Sequence, residues 1–360
     1  MLWSQAAQHA AKAGADVAAF FPYYKDIAPT RALTAAGAQL FYGTAPPAPW
    51  WRRLGRTGGG RSARFIEALA THRPELVIVN QGGARDGVVE MAACRQQQIP
   101  YVIVNQAVEP LSYPDAVRQQ LRVAFGEARH VWCVSEENLA RLRSFLKLPL
   151  TQAEAIPNAY GCPFAVDCPW PADASPLRLA MVARLTPVQK GQDMLLDVLA
   201  APRWRERDLQ VTIFGDGDSF QQLTARRAAL ELESVEIPGI TAPVGEIWAR
   251  HHALLLPSRF EGQSLAMIEA MLHSRPVIAT PVGGTAGIVL NGVTGFLAER
   301  IDARAVDAAM ECAWNQRDDL PRLGQNAARH IRQMVAPDPG ADFFMRLIPL
   351  LGGQPLRRVD

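Results

Sequence analysis

The stretch 254–296, LLLPSRFEGQSLAMIEAMLHSRPVIATPVGGTAGIVLNGVTGF, restricts the folds open to this chain more than any other. An apolar run ends at Pro257, a loop containing Gly262 follows, and Ser264 stands where it would cap a helix. A second apolar run at 277–279 then gives way to Gly283 and Gly284. This reads as strand, loop, helix, strand and glycine turn, the repeating unit of a parallel sheet covered by helices. Two glutamates, Glu261 and Glu269, lie at the mouth of the unit. Ligands of open α/β sheets bind beyond the carboxyl ends of the strands, so chemistry is expected here.

The same alternation runs through the whole chain. Short Val- and Ile-rich runs predict strands at 16–21, 39–42, 76–80, 101–105 and 130–134, then at 177–182, 210–214, 234–237, 253–256 and 277–279. Helical stretches fall between them, among them 61–72, 87–97, 191–199 and 264–274. The chain has 360 residues, more than one compact core usually supports, so two doubly wound α/β domains are expected. The segment 162–176 holds four prolines and no helical or strand period. It sets the expected division: a Rossmann-like domain at 1–165, a linker at 166–176, a second Rossmann-like domain at 177–335, and a helix and tail at 336–360. Domain interfaces are common ligand sites, so the ligand cleft is expected between the two.

The amino terminus has helical period at Leu2, Ala6, Ala10 and Ala13, stopping at Gly14. A doubly wound domain normally opens with a strand, so the chain is expected to start one strand late. It shows neither a secretory signal nor a bilayer-spanning run. Net charge is only +2, with no basic half, which gives no reason to expect a nucleic-acid partner. The five cysteines are scattered and form no C-x-x-C pair. They read as reduced thiols of a cytoplasmic protein without a metal site. Cys162 and Cys168 share one loop, and bridging under oxidation is the alternative.

Several residues could carry chemistry. Arg184 closes a strand, and Lys190 precedes a helix that Gly191 or Gln192 opens. Two cations at a strand end beside a helix N-terminus suit a phosphate, although a lone Arg–Lys pair is also ordinary surface charge. Gly215 and Gly217 follow a strand; a lone G-x-G admits a ligand or simply makes a turn. Leu265, Ile268 and Leu272 make the expected buried stripe of the next helix, with Glu269 beside it. A half-buried carboxylate needs a donor, and vicinal ribose hydroxyls supply two; a solvated helix glutamate is the plainer alternative. Gly262 allows close backbone approach, and the amides of Gln263, Ser264 and Leu265 are expected to face an anion.

Taken together, VARLTPVQKGQDMLL, VTIFGDGDSFQQL, LPSRFEGQSLAMIEAMLHSRPVIATPVGG and NGVTGFL resemble glycosyltransferase family 4, the retaining GT-B enzymes that use nucleotide sugars. The spacing of Glu261 and Glu269, with seven residues between, is the family's. The strong resemblance covers 177–332, and the amino half matches mainly in pattern. It implies a hexosyltransferase in which Arg184 and Lys190 hold the donor diphosphate and stabilise the leaving group. Glu269 would bind the ribose hydroxyls and Glu261 the transferred sugar, with the backbone from Gly262 to Leu265 assisting. Ile240 lies where such enzymes contact the base. The donor would be a UDP or GDP sugar, used without a metal or other cofactor. The acceptor would be a glycan or a lipid-linked sugar, as in polysaccharide biosynthesis. The sequence departs from the family in three places. The opening strand and its glycine-rich loop are absent. Asn105 and Gln106 stand where a histidine is common. Gly287 stands where a glutamate usually follows the GG loop. These departures motivate the alternative of a non-catalytic GT-B protein that binds nucleotide only. A sugar-nucleotide epimerase is a third idea, against which the glutamate spacing speaks.

Two weaker features remain. Trp50 and Trp51 beside several arginines would suit peripheral contact with a membrane surface, or make a surface loop. His251 and His252 have no ligand-spaced partner and read as structural.

Overall fold

The computed structural model describes residues 2–21, 28–42, 59–108, 113–173, 175–239 and 243–352. The chain forms two compact units, Met1–Ala159 with Asp338–Asp360, and Tyr160–Pro337. Trp50, Trp51 and Ile240, singled out above, lie outside the described residues.

In the first unit, β1 (Ala18–Phe21) pairs in parallel with β2 (Gln39–Tyr42). A four-stranded parallel sheet runs in the order β3 (Val77–Gln81), β4 (Tyr101–Asn105), β5 (His130–Cys133) and β6 (Ala153–Ala155). Among the described residues no ladder joins these two sheets. The helix Leu2–Lys12 serves both: Leu2 and Ala6 share a core with Val102 and Val104, while Trp3 and Ala7 pack toward Ala19. The helix Pro339–Leu347 belongs to the same unit, its Phe343 ring meeting Trp132 edge-on at 4.8 Å.

The second unit holds six parallel strands: β7 (Leu177–Val182), β8 (Leu209–Phe214), β9 (Val235–Gly239), β10 (Ala253–Leu256), β11 (Val277–Ala279) and β12 (Gly295–Leu297). Their spatial order is β9-β8-β7-β10-β11-β12. Numbered within the unit this is 3-2-1-4-5-6, the doubly wound nucleotide-binding order. Alternate residues of β7 enter opposite cores: Leu177, Leu179 and Met181 one, Ala180 and Val182 the other. Burial on both faces is why these strands read as continuous apolar runs.

The expected strands all form, with ends shifted by a residue or two. The three-residue edge strands β6 and β12 were not expected, because three residues carry no legible period. The expected linker is a correction. Prolines stop helix and strand but do not prevent packing, and 166–173 is pinned to the second unit. Arg275 is wholly buried there and donates to Pro169 O at 2.7 Å and to Cys168 Sγ at 3.3 Å. Its guanidinium also sits 5.0 Å from the Trp170 ring centre and reaches the carbonyls of Trp248, His251 and His273. A buried cation without a carboxylate must collect such acceptors, and the 166–173 segment supplies two of them. The cysteines are free thiols, and burial pushes Cys94 and Cys133 up to about 12.

His251, His252 and His273 are buried around this cation, each with its Nδ1 hydrogen-bonded. His251 Nδ1 faces Ile247 O at 2.7 Å, His252 Nδ1 accepts from Arg178 N at 2.9 Å, and His273 Nδ1 faces Glu269 O at 2.7 Å. Burial lowers all three below the ordinary histidine value of 6.5. A depressed folded-state value gives stability that is complete above the unfolded value and lost as pH falls through the folded one. Urea midpoints are therefore expected to stay level from about pH 8 to pH 7 and to fall below about pH 6.5, each histidine costing up to about 1.4 kcal/mol per pH unit. A midpoint unchanged between pH 7.5 and 5.5 would contradict this account.

Candidate active site

β7 and β10 are neighbours, but the chain leaves β7 toward β8 on one side and β10 toward β11 on the other. The carboxyl ends of β7 and β10 are therefore the switch point, the place at which ligands of such sheets bind. Arg184 and Lys190 follow β7, and Glu261 follows β10, so the strand order brings the sequence candidates together.

Lys190 closes the short helical turn Pro187–Lys190, and its Nζ donates to Glu261 Oε1 at 2.7 Å. The same oxygen accepts from Ser258 Oγ at 2.9 Å. Only 7% of the Glu261 side chain is exposed, against 21% for Lys190, so the pair is partly desolvated and the cation faces outward more. Arg184 is exposed, and among the described residues its guanidinium has no hydrogen-bond or ion-pair partner. Its carbonyl accepts from the buried Gln192 side chain at 2.8 Å, which fixes the loop beneath it.

Close backbone approach holds these loops together. Gly191 has φ +74, and a Cβ there would lie 2.0 Å from Pro257 O, so the loop after β7 rests directly on the loop after β10. Gly283 has φ +55 and would strike Glu261 O at 2.3 Å; the next amide, Gly284 N, donates to Gly262 O at 2.7 Å. Gly215 is likewise used for packing, against Ala183 O. Gly191→Ala combines a left-handed backbone with a clash against main chain, and is expected to cost about 2–4 kcal/mol or prevent folding. The urea midpoint measures it; a wild-type midpoint would show that the loops part freely.

Ser264 caps the helix Leu265–Leu272, its Oγ accepting from Met267 N at 3.4 Å. Gln263 and Ser264 are buried beside the cap. The helix is buried along nearly its whole surface, from Ala266 to Leu272, and Leu265 is its least covered residue. The expected stripe of Leu265, Ile268 and Leu272 is corrected accordingly. This helix packs on the sheet and also on the helix Leu320–Met334, so it has no solvated face. Glu269 is therefore not a solvated glutamate: it is 6% exposed, and its Oε1 accepts from Gly161 N at 2.9 Å. Burial raises it above the ordinary carboxylate range, and the Gly161 bond only partly offsets this.

In the first unit Asn105 is buried and committed, donating to Gln81 Oε1 and accepting from Asn138 Nδ2. Gln106 instead bridges Asn80 and Asn158 at the carboxyl ends of the strands. Sequence reasoning missed Ser258 and the Arg259–Asp193 ion pair. A serine three residues before Glu261 was the available signal for the first.

Residues 176–316 match the family described as Glycosyl transferases group 1. An uncharacterized glycosyltransferase of Methanocaldococcus jannaschii is 30% identical over 140 residues, 38% of each chain. A D-inositol 3-phosphate glycosyltransferase of Pseudarthrobacter chlorophenolicus is 31% identical over 150 residues, 40% of this chain and 35% of that one. The match thus spans little more than a third of these curated relatives. Among solved structures, Anabaena HepE in complex with UDP superposes with a TM-score of 0.74 at 19% identity, covering 97% of this chain and 95% of that one. Sucrose-phosphate synthase from Thermosynechococcus elongatus gives 0.76 at 18% identity, covering 96% and 92%. The chain has the GT-B fold, and residues 176–316 of its second unit are similar to the group 1 glycosyltransferases.

Proposed function

We propose that the chain is a retaining glycosyltransferase that moves a sugar from a nucleoside-diphosphate sugar to a glycan or lipid-linked acceptor. The observation that carries this reading is the Lys190–Glu261 pair at the switch point, with the exposed Arg184 in the same loop after β7 as Lys190. Breaking the bond between the anomeric carbon and the diphosphate oxygen leaves negative charge on that oxygen. Arg184 and Lys190 are the cations placed to meet it, and the N-terminus of the helix Leu265–Leu272 adds amides and a favourable dipole. In this reading these groups do the work a divalent cation would otherwise share. Glu269 takes the ribose hydroxyls and Glu261 the transferred sugar. UDP or GDP is the expected nucleotide; structures of HepE with UDP and with UDP-glucose support a uridine donor.

Among the described residues no helix is long and apolar enough to cross a membrane. A cytoplasmic setting, with peripheral contact at a membrane, fits a lipid-linked acceptor and belongs to the proposal.

Calorimetric titration with UDP, GDP and ADP tests the donor site, with Glu269→Ala alongside. Tight binding of one nucleotide, lost in the variant, supports the reading and names the donor class. Absence of binding to all three would overturn it. A second reading, nucleotide binding without transfer, is favoured by the commitment of Asn105 to its own network. Nucleotide binding without consumption of any nucleotide sugar would select it.

A further inference from the structure

The loops that carry Lys190 and Glu261 are joined by a further side chain, that of Arg259. Arg259 lies two residues before Glu261. Its guanidinium forks onto the Asp193 carboxylate, Nη1 at 2.6 Å and Nη2 at 3.0 Å. Nη1 also donates to Pro187 O at 2.8 Å. The backbone amides of Arg259 and Phe260 both donate to Gln189 O, at 2.8 and 3.1 Å. Arg259 therefore touches the first residue of the Pro187–Lys190 turn, the residue before Lys190, and the first turn of the helix Gln192–Leu199, where Asp193 stands. Burial works against the charged Asp193, yet the bonds from Arg259 and from the Met194 amide hold it below its ordinary range.

Both side chains are about a third exposed, 34% and 36%, and an ion pair of that exposure contributes little to stability. A two-point fork fixes direction as well as distance, which a lysine in its place would not. We infer that Arg259 and Asp193 are positioning residues for the proposed transfer, setting the separation of Lys190 and Glu261 by clamping the loop after β7 to the loop after β10. The kinetic part of the test rests on the glycosyltransferase reading; the exchange part does not.

Amide hydrogen exchange and turnover of the nucleotide sugar that the protein consumes would be measured for wild type, Asp193→Ala, Asp193→Asn, Arg259→Ala, Arg259→Lys and the double alanine variant. Exchange is expected to rise at least about fivefold in both loops, 186–191 and 257–262, while β8 stays protected. The catalytic constant is expected to fall about 10- to 100-fold with the donor KM within about threefold, as a small misplacement of reacting groups requires. The double variant should be no worse than either single one, and Arg259→Lys should behave as the alanine variant does. Unchanged exchange in either loop, additive losses, or full rescue by lysine would overturn the clamp. If the wild-type chain consumes no nucleotide sugar, the glycosyltransferase reading falls and the exchange result alone decides the clamp.

Discussion

Lys190→Ala and Glu261→Ala are each expected to lower turnover of the nucleotide sugar by about 10²-fold or more. Lys190 is the cation closest to the carboxylate, and its removal leaves Arg184 as the remaining cation of the proposed phosphate site. The two residues share one hydrogen bond at 2.7 Å, so their losses should not multiply in the double variant. Stability separates the two single variants. Lys190→Ala strands a nearly buried carboxylate with, among the described residues, only the Ser258 hydroxyl as donor, and should cost about 1–3 kcal/mol. Glu261→Ala leaves a more exposed ammonium that water can solvate, so the penalty is smaller. Steady-state consumption of the donor, together with thermal melting, measures both effects. Turnover near wild type in both variants would remove Lys190 and Glu261 from the mechanism.

Much of the second unit was legible because its physics is local. An apolar run as short as Ala253–Leu256, stopped by Pro257, reads as a strand buried on both faces, and Ser264 announces its helix by the hydroxyl that takes the Met267 amide. The pairing of Lys190 with Glu261 was not local. It depends on β10 lying beside β7, which no residue period encodes. The glycines illustrate the same divide. A turn at Gly191 could be read from its type, but the reason only glycine fits is Pro257, sixty-six positions away in sequence and in van der Waals conflict with any Cβ. The 166–173 segment misled because its composition reports lack of secondary structure, whereas its position is set by Arg275, a cation more than a hundred residues downstream. Nothing in the sequence singled out Arg259 and Asp193; the fork and the shared carbonyl of Gln189 set them apart.

Glu269→Gln is expected to stabilise the protein at neutral pH and to weaken nucleotide binding. Burial raises the Glu269 carboxyl, with the Gly161 amide as partial compensation. A group raised on folding contributes stability that is present below the unfolded value and lost as pH rises through the folded one. At pH 7.5 the ionised carboxylate is therefore a cost, and glutamine removes the charge while keeping a carbonyl for Gly161. The gain should be about 1 kcal/mol, the scale of an incompletely compensated polar group. It should shrink toward zero as pH falls to the ordinary glutamate value of 4.5, where wild type becomes protonated too. Binding moves the other way. A carboxylate can accept from both ribose hydroxyls, whereas the glutamine amide offers one carbonyl already engaged by Gly161. Losing one charge-assisted bond corresponds to about a tenfold or larger rise in Kd. Urea denaturation at pH 7.5 and 4.5, with calorimetry of the preferred nucleotide, tests both arms. A variant less stable than wild type at pH 7.5 would show that the carboxylate is satisfied in its buried site. Unchanged affinity would detach Glu269 from the ribose.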